Sequence, residues 1–276
     1  MTEQGGADLD AHRVGAGAAA WGVAEVEVHG SVASTNDLGR DMLGRWHNRA
    51  DGGRATDGRL PLGLVLAAHQ AAGRGRSASA WSSPSGLGLW MSFVAPLRGP
   101  AERSLLPLRA GAVVITAVEQ LTGAHCGWKW PNDIFMGGRK LAGILCEGFT
   151  EGVVIGIGIN LEQNADDFPP ELRRRATSLR REGYQVAAFE LLARVATGMR
   201  HLVDCSIAEL DDDLLEFLGT RDILSGVPLT AGGVSGTGAG ITRQGLLRVQ
   251  SSGRVLTVAA GHVELTSADD RNAGTR

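Results

Sequence analysis

The sequence predicts an α+β fold in which a mixed sheet with flanking helices precedes a small β-barrel. Between residues 21 and 220, apolar runs of strand length are interspersed with long stretches of helical spacing. From residue 223 to residue 265, short strands alternate with glycine turns and no stretch of helical length occurs. We therefore expect two domains, at residues 21–220 and 221–266. Residues 1–20, which are small and polar, are expected to form a disordered tail, and residues 267–276 a frayed end.

The large domain is predicted to contain the following elements. Apolar and charged residues alternate in a half-buried strand at 24–29, and apolar runs predict strands at 62–68, 86–95, 140–147 and 152–159. Helical spacing predicts helices at 103–121, 186–203 and 207–218. Gly137-Gly138 predicts a tight hairpin turn. A further helix is expected to begin near Ser34, because Ser34 and Asp37 have the spacing of a capping box.

Composition and charge exclude several classes of protein. The formal net charge of −3 over 276 residues argues against a general nucleic-acid surface, which requires a basic field. The three cysteines (Cys126, Cys146 and Cys205) form no CxxC pair, so neither a disulfide framework nor a zinc site is expected. No signal pattern and no membrane-spanning apolar run is evident, and we expect a cytoplasmic protein without membrane association.

A loop rich in glycine and arginine follows the strand at 62–68. It contains Gly73-Arg74-Gly75-Arg76, in which glycines allow close approach of backbone N–H groups and arginines offer forked donors to phosphate or carboxylate. The loop lacks the lysine and hydroxyl residue of a P-loop, and Ala78 stands where the dinucleotide-binding fingerprint needs its third glycine. It therefore indicates an anion-binding loop outside the common nucleotide-binding folds.

Further motifs accompany this loop: Ser34-Thr35-Asn36, then Lys129-Trp130-Pro131-Asn132-Asp133, then Arg139-Lys140-Leu141-Ala142-Gly143-Ile144, and finally Gly156-Ile157-Gly158-Ile159-Asn160. With Gln70 and Trp81 flanking the loop, these blocks in this order resemble the biotin protein ligase family over residues 30–266. The resemblance implies a catalytic domain related to class II aminoacyl-tRNA synthetases and an SH3-like C-terminal barrel. It also implies two reactions, in which biotin and ATP give biotinyl-5′-AMP and a lysine of a biotin carboxyl carrier protein then takes the biotinyl group.

The resemblance also assigns roles to residues. The catalytic set comprises Arg76, Lys140, Lys129 and Asp133. The biotin-binding set comprises Ser34, Thr35, Asn36, Gln70, Gly73, Arg74, Gly75, Arg76, Lys140 and Gly143. The nucleotide-binding set comprises Arg74, Arg76, Trp81, Asn132, Lys140 and Asn160. These roles agree with the chemistry, because cations must bring a carboxylate and a polyphosphate together and the ureido group of biotin must be paired when it leaves water.

The substrates implied are biotin and ATP, with Mg²⁺ accompanying the ATP, although no cluster of metal ligands is evident in the sequence. The carrier lysine, with a pKa near 10.4, is less than about 0.1% neutral at pH 7, and Asp133 is the candidate that helps to deprotonate it. Monomer and dimer both remain open.

Two departures from the family pattern are evident. Ser77-Ala78-Ser79-Ala80 replaces a second basic stretch found in many relatives, so Ser79→Arg is expected to slow the loss of biotinyl-AMP. Only about thirty residues precede Ser31, so a monofunctional ligase without an N-terminal DNA-binding domain is expected. A lipoate–protein ligase shares the acyl-adenylate chemistry, and a sensor that binds without turnover is the alternative from a different class.

Overall fold

The structure is a computed structural model that describes residues 9–48, 59–96 and 100–265. Its large domain contains a seven-stranded mixed sheet: β1 (Glu25–Val32), β2 (Gly63–Gln70), β3 (Gly88–Ala95), β4 (Gly127–Lys129), β5 (Asp133–Met136), β6 (Arg139–Gly148) and β7 (Val153–Asn160). The strand order is β1-β2-β3-β7-β6-β5-β4, and β1 and β2 are parallel while all other neighbours are antiparallel. The helices are α1 (Ala11–Ala18), α2 (Thr35–His47), α3 (Pro100–Thr122), α4 (Ala188–Asp204) and α5 (Asp212–Gly219).

The two faces of the sheet differ in kind. Alternate residues of β3 and β7, such as Leu89, Phe93 and Ile157, belong to the main core with residues of α3 and α4. The opposite face carries glycines and Ser92 near its centre, and α2 covers its outer part through Met42, among others. Because successive side chains of a strand point to opposite faces, the same strands supply an apolar core on one side and a shallow, polar floor on the other.

Five antiparallel strands form the C-terminal domain: β8 (Pro228–Ala231), β9 (Val234–Ile241), β10 (Leu247–Ser251), β11 (Arg254–Val258) and β12 (Val263–Leu265). Their order is β11-β10-β9-β8-β12, and the arrangement is consistent with an SH3-like domain. The junction to the large domain is a backbone exchange in which Trp128 N–H donates to the Arg221 carbonyl and Ile223 N–H donates to the Trp128 carbonyl. The predicted fold class, a mixed sheet with flanking helices and a small C-terminal β-domain, is confirmed.

The Gly137-Gly138 hairpin is confirmed as well. Both residues have positive φ, at 55° and 74°, and they connect β5 to β6. Two positive φ angles in a two-residue connection are typical of the type I′ turn, which matches the twist of the flanking strands.

Two sequence predictions need correction. Residues 11–18 of the predicted disordered tail form α1, because Val14 is fully buried and Trp21 packs on Phe189 with ring centroids 5.4 Å apart. One apolar anchor inside this small, polar segment and one directly after it fix the segment to the core, and overall composition conceals them. The helix predicted from residue 207 begins at residue 212, because the Asp211 carboxylate caps it by accepting from Leu214 N–H. Residues 1–8 and 267–276 lie outside the described residues.

One helix, α3, includes a segment (Arg103–Thr122) that is long and apolar enough to cross a membrane by length and composition alone. More than half of this segment is buried inside the protein, where α3 packs against α4 and β6. This is the pattern of a core helix.

Candidate active site

Residues at the N-terminal end of α2 meet Gln70 at the end of β2. Gln70 Oε1 accepts from the Thr35 backbone N–H at 2.9 Å and lies 3.2 Å from Thr35 Oγ1, while Gln70 Nε2 donates to Ser83 Oγ at 2.9 Å. Ser34, Thr35 and Asn36 are only 4%, 3% and 4% exposed. The structure therefore places the buried Ser34, Thr35 and Asn36 beside the half-buried Gln70, and these four residues form the Thr35–Gln70 cluster.

The capping box predicted at Ser34 is wrong. Ser34 occupies the N-cap position through its backbone, but its side chain makes no capping hydrogen bond. Asp37 instead accepts two hydrogen bonds from the Arg74 guanidinium, at 3.0 and 2.8 Å. A bidentate, charge-assisted pair is stronger than a bond to a neutral backbone N–H, so Arg74 takes Asp37 away from the helix end.

Arg74 is held by a second carboxylate as well. Its Nη2 lies 3.4 Å from Glu147 Oε2, an atom that also accepts from Asn36 Nδ2 at 2.6 Å. The hydrogen bonds to Asp37 are the main cause of a raised pKa for the Arg74 guanidinium. In this structure Arg74 therefore connects the start of α2 to β6, with its charge balanced by two acids.

Glycines of β6 and β7 form a floor beneath the motif side chains. A Cβ placed on Gly158 would lie 2.5 Å from the indole nitrogen of Trp81, and one on Gly143 would lie 3.0 Å from the same ring. A Cβ on Gly156 would lie 2.3 Å from Asn36 Oδ1. The glycines of the Gly-x-Gly-x-Asn motif thus allow Trp81 and Asn36 to pack closely on the sheet, because any larger side chain at these positions would displace one of them.

Arg76 reaches across the site to the C-terminal domain. Its Nη1 donates to Asn132 Oδ1 at 3.3 Å and its Nη2 to the Gly261 carbonyl at 3.2 Å. Both acceptors are neutral, so these bonds orient the guanidinium without balancing its charge. Asn132 is itself fixed by a 2.7 Å hydrogen bond from its Nδ2 to the Ile144 carbonyl. The Arg76 guanidinium is therefore fixed in direction, and its positive charge can interact with an anionic ligand.

Lys140, Lys129 and Asp133 lie close together around the Pro-Asn-Asp turn. Lys140 Nζ is 2.6 Å from Asp133 Oδ1 and 5.3 Å from the centre of the Trp81 ring. Lys129 Nζ donates to the Val263 carbonyl at 3.1 Å. Burial lowers the pKa of the Lys129 ammonium below its ordinary value, partly offset by the charge of Asp133. These are the only two lysines in the chain, and both belong to the site.

The glycine-arginine loop is closed by its own hydrogen bonds. Gly75 N–H donates to the Ser79 carbonyl at 2.7 Å, and Ser79 Oγ donates to the Arg76 carbonyl at 2.8 Å. Ser77 has a φ of 53°, which is uncommon for a residue with a side chain and completes the tight turn. Trp81 N–H then returns to the Gly73 carbonyl at 2.9 Å. Ser79 therefore stabilises the loop from within.

Asn160 lies at the end of β7, on the same face of the strand as Gly156 and Gly158, and is held by the segment that follows. Its Nδ2 donates to the Thr177 carbonyl at 2.8 Å and its Oδ1 accepts from Gln163 at 3.0 Å. Asn160 ends β7 and anchors the segment that follows the strand, so its predicted contact with the nucleotide stays a prediction.

Sequence reasoning missed several residues of the site: Asp37 as a partner of Arg74, Glu147, Ser83, Ser92 and the carbonyls of Gly261 and Val263. Only Ser92 left a signal in the sequence, as the one polar residue in the apolar run Leu89–Ala95. The others are recruited by contacts between distant segments, which no local pattern records.

Within residues 9–48, 59–96 and 100–265, no group of three or more His, Cys, Asp or Glu side chains is placed to hold a metal ion. An open cavity of about 620 Å³ lies elsewhere, between α2 and the turn from β6 to β7, and is lined by residues including Arg40, Arg103 and Glu151. It contains none of the residues that the sequence motifs predicted.

The fold and this collection of motifs define a class of ligase. Residues 55–164 match the model of the biotin/lipoate A/B protein ligase family. The biotin protein ligase of Aquifex aeolicus, solved in complex with biotin and ATP, superposes with a TM-score of 0.64 at 25% identity, covering 88% of this chain and 99% of that one.

Sequence comparison resolves the class further. The chain is 33% identical over 245 residues to the biotin–[acetyl-CoA-carboxylase] ligase of Mycobacterium tuberculosis, which covers 84% of this chain and 86% of that protein. The chain therefore belongs to the biotin protein ligase family of enzymes. It is also 40% identical over 148 residues to the bifunctional ligase/repressor BirA of Bacillus subtilis, a match that spans 44% of that relative's length.

Proposed function

We propose that this protein activates biotin with ATP as biotinyl-5′-AMP and transfers the biotinyl group to a specific lysine of a biotin carboxyl carrier protein. One observation carries the proposal. The Thr35–Gln70 cluster lies at the start of the Gly73–Trp81 loop, which carries the cation Arg76, and Trp81 at the end of the loop lies 5.3 Å from the cation Lys140. A ligand with a polar head and an anionic tail matches this order of groups.

The polar cluster suits the ureido ring of biotin. The Thr35 hydroxyl offers lone pairs to a ligand N–H. The Gln70 side-chain amide donates one N–H to Ser83 Oγ, and its second N–H can donate to a ligand carbonyl. A ureido group carries both N–H donors and a C=O acceptor, and each must be paired when the ring leaves water. Gly143 and Gly158 let the Trp81 indole pack directly on the sheet, and the ring would offer an apolar wall to the ligand.

The cations suit the first reaction. In that step a carboxylate oxygen of biotin attacks the α-phosphorus of ATP, the Pα–O bond to the β-phosphate breaks, and pyrophosphate leaves with the electron pair. Arg76 and Lys140 would hold the two anions in register and stabilise the charge on the phosphoryl oxygens. Each charge-assisted contact is worth about 1.5–3 kcal/mol. Mg²⁺ enters this scheme with the phosphates of ATP.

In the second reaction the carrier lysine attacks the acyl carbon, AMP leaves, and an amide forms. Asp133 is the carboxylate nearest to the reacting groups in this scheme, and it is paired with Lys140 at 2.6 Å before a ligand arrives. When Lys140 turns to the ligand, Asp133 becomes available to accept the proton of the incoming ammonium group.

Lipoate is the competing substrate, since the family model covers both acids. Its dithiolane ring has no N–H or C=O to pair with Thr35 and Gln70, and burying it against them would leave these groups unsatisfied. The polar cluster therefore favours biotin. A sensor that binds without turnover is disfavoured by the presence of both Arg76 and Lys140.

The test is a transfer assay with the full-length protein. Radiolabelled biotin and radiolabelled lipoate are incubated in parallel with ATP, Mg²⁺ and a carrier domain, and a carrier whose acceptor lysine is replaced by methionine is the control. Label is expected on the intact carrier from biotin alone. Transfer from lipoate would replace the proposed substrate, and biotin binding without AMP release would identify a sensor.

A further inference from the structure

Ser92 is the most deeply buried polar residue next to the Thr35–Gln70 cluster. It lies at the centre of β3, directly opposite Gly156 of β7, and is 0% exposed. Its Oγ is 2.7 Å from Thr35 Oγ1 and 2.6 Å from Asn36 Oδ1. No sequence motif includes Ser92, although it contacts two residues that the motifs do include.

The orientation of the Asn36 amide follows from its neighbours. Asn36 Nδ2 faces the Glu147 carboxylate at 2.6 Å and the Leu145 carbonyl at 3.4 Å. Both partners only accept hydrogen bonds, so the amide nitrogen must face them and the amide oxygen must face Ser92. Asn36 Oδ1 therefore requires a donor from Ser92.

This requirement fixes the direction of the next hydrogen bonds. A serine hydroxyl has one proton, and Ser92 gives it to Asn36 Oδ1. The hydrogen bond between Ser92 and Thr35 must then be donated by Thr35. The other inward partner of the Thr35 hydroxyl, Gln70 Oε1 at 3.2 Å, is also an acceptor. Gln70 Oε1 already accepts from the Thr35 backbone N–H at 2.9 Å, whereas Ser92 Oγ is the nearer acceptor at 2.7 Å, so Ser92 directs the Thr35 proton into the protein.

We infer that Ser92 is a specificity-determining positioning residue, which makes the Thr35 hydroxyl an obligate acceptor toward the ligand and so selects a ligand N–H at that point. The inference rests on the proposed function, since the ligand N–H is that of the biotin ureido ring. A ring atom with lone pairs at this position would face the lone pairs of Thr35, and a CH group would leave them unpaired.

The test compares biotin with two analogues in which one or the other ureido N–H is replaced by a ring oxygen, giving cyclic carbamates of nearly the same shape. Dissociation constants are measured by titration calorimetry. For one of the two analogues, the wild-type protein is expected to bind at least about tenfold more weakly than it binds biotin. The ratio of the dissociation constant of that analogue to the dissociation constant of biotin measures the preference for the ligand N–H. In Ser92→Ala and in the nearly isosteric Ser92→Cys, this ratio is expected to fall several-fold, because Thr35 loses its nearer inward acceptor. Ser92→Thr keeps the hydroxyl and is expected to restore the ratio.

Ser178→Ala is the matched control, since Ser178 is also 0% exposed and its hydroxyl donates to the Gln163 carbonyl outside this cluster. Its ratio is expected to equal that of the wild type, which separates a change in hydroxyl direction from a general loss of stability. Equal binding of biotin and both carbamates by the wild type, or an unchanged ratio in Ser92→Ala and Ser92→Cys, would overturn the inference. Equal binding by the wild type overturns the inference even where a variant fails to fold, and Ser92→Cys and Ser92→Thr provide alternatives to Ser92→Ala. Absence of any biotin binding by the wild type would instead overturn the proposed function.

Discussion

Replacement of Gly156 by alanine tests how the sheet floor positions the site. The added Cβ would lie 2.3 Å from Asn36 Oδ1, 3.0 Å from its Cγ and 3.1 Å from its Nδ2. The Asn36 side chain must therefore retreat by about 1 Å to reach ordinary van der Waals contact. That shift separates it from both Ser92 and Glu147, whose bonds to Asn36 are each 2.6 Å long.

The expected cost follows from these two hydrogen bonds. Leaving a buried polar group unsatisfied costs about 1–3 kcal/mol, so the loss of two such bonds in Gly156→Ala should lower the free energy of unfolding by about 2–6 kcal/mol and raise the KM for biotin at least about tenfold. Both quantities are measurable, by urea unfolding and by biotin-dependent release of pyrophosphate. Gly30→Ala is the matched control, because Gly30 also lies in a strand and nothing lies within 4 Å of its added Cβ. Wild-type stability and KM in Gly156→Ala would refute the close packing of Asn36 on β7.

Three further predictions concern separate parts of the molecule. Lys140→Met should reduce the rate of adenylate formation by about 10- to 150-fold, measured as pyrophosphate release, because it removes one charge-assisted contact. Arg221→Met should lower stability at neutral pH by about 1–3 kcal/mol, because it leaves the half-buried Glu119 carboxylate, 2.7 Å from Arg221, without this partner. Burial raises the pKa of Glu119, but the hydrogen bonds and charge of Arg221 lower it overall, so the contribution of this pair is present above about pH 4.5 and is lost as the pH falls through the lowered pKa. In native protein an alkylating reagent should label Cys205, which is exposed, and spare Cys126, whose pKa burial raises to about 12.

Each of these predictions has a control. Lys140→Arg keeps a cation and should lose less activity than Lys140→Met. Arg194→Met breaks an exposed pair with Glu190 and should cost at most about 1 kcal/mol. In denaturant all three cysteines should be alkylated. Equal losses in the two Lys140 variants, equal stabilities in the two arginine variants, or native labelling of Cys126 would each contradict the corresponding contact.

The strands, the long helices and the motif residues could be predicted from sequence because they depend on local periodicity and on short spacings. The contacts that organise the site could not. Ser92 meets Asn36 across 56 positions and Arg76 meets Gly261 across 185, and such pairs leave no pattern within one segment. The capping prediction at Ser34 failed for the same reason, since Arg74 competes for Asp37 from another loop.

The most direct test of biotin activation by this protein is isotope exchange between ATP and labelled pyrophosphate, with the purified full-length protein, Mg²⁺ and no carrier. Exchange requires reversible formation of an acyl-adenylate and therefore isolates the first reaction. Exchange is expected to depend on biotin, not to be supported by lipoate, and to fall by at least about tenfold in Lys140→Met. Exchange with lipoate instead of biotin, or none with biotin while biotin still binds, would contradict biotin activation by this protein.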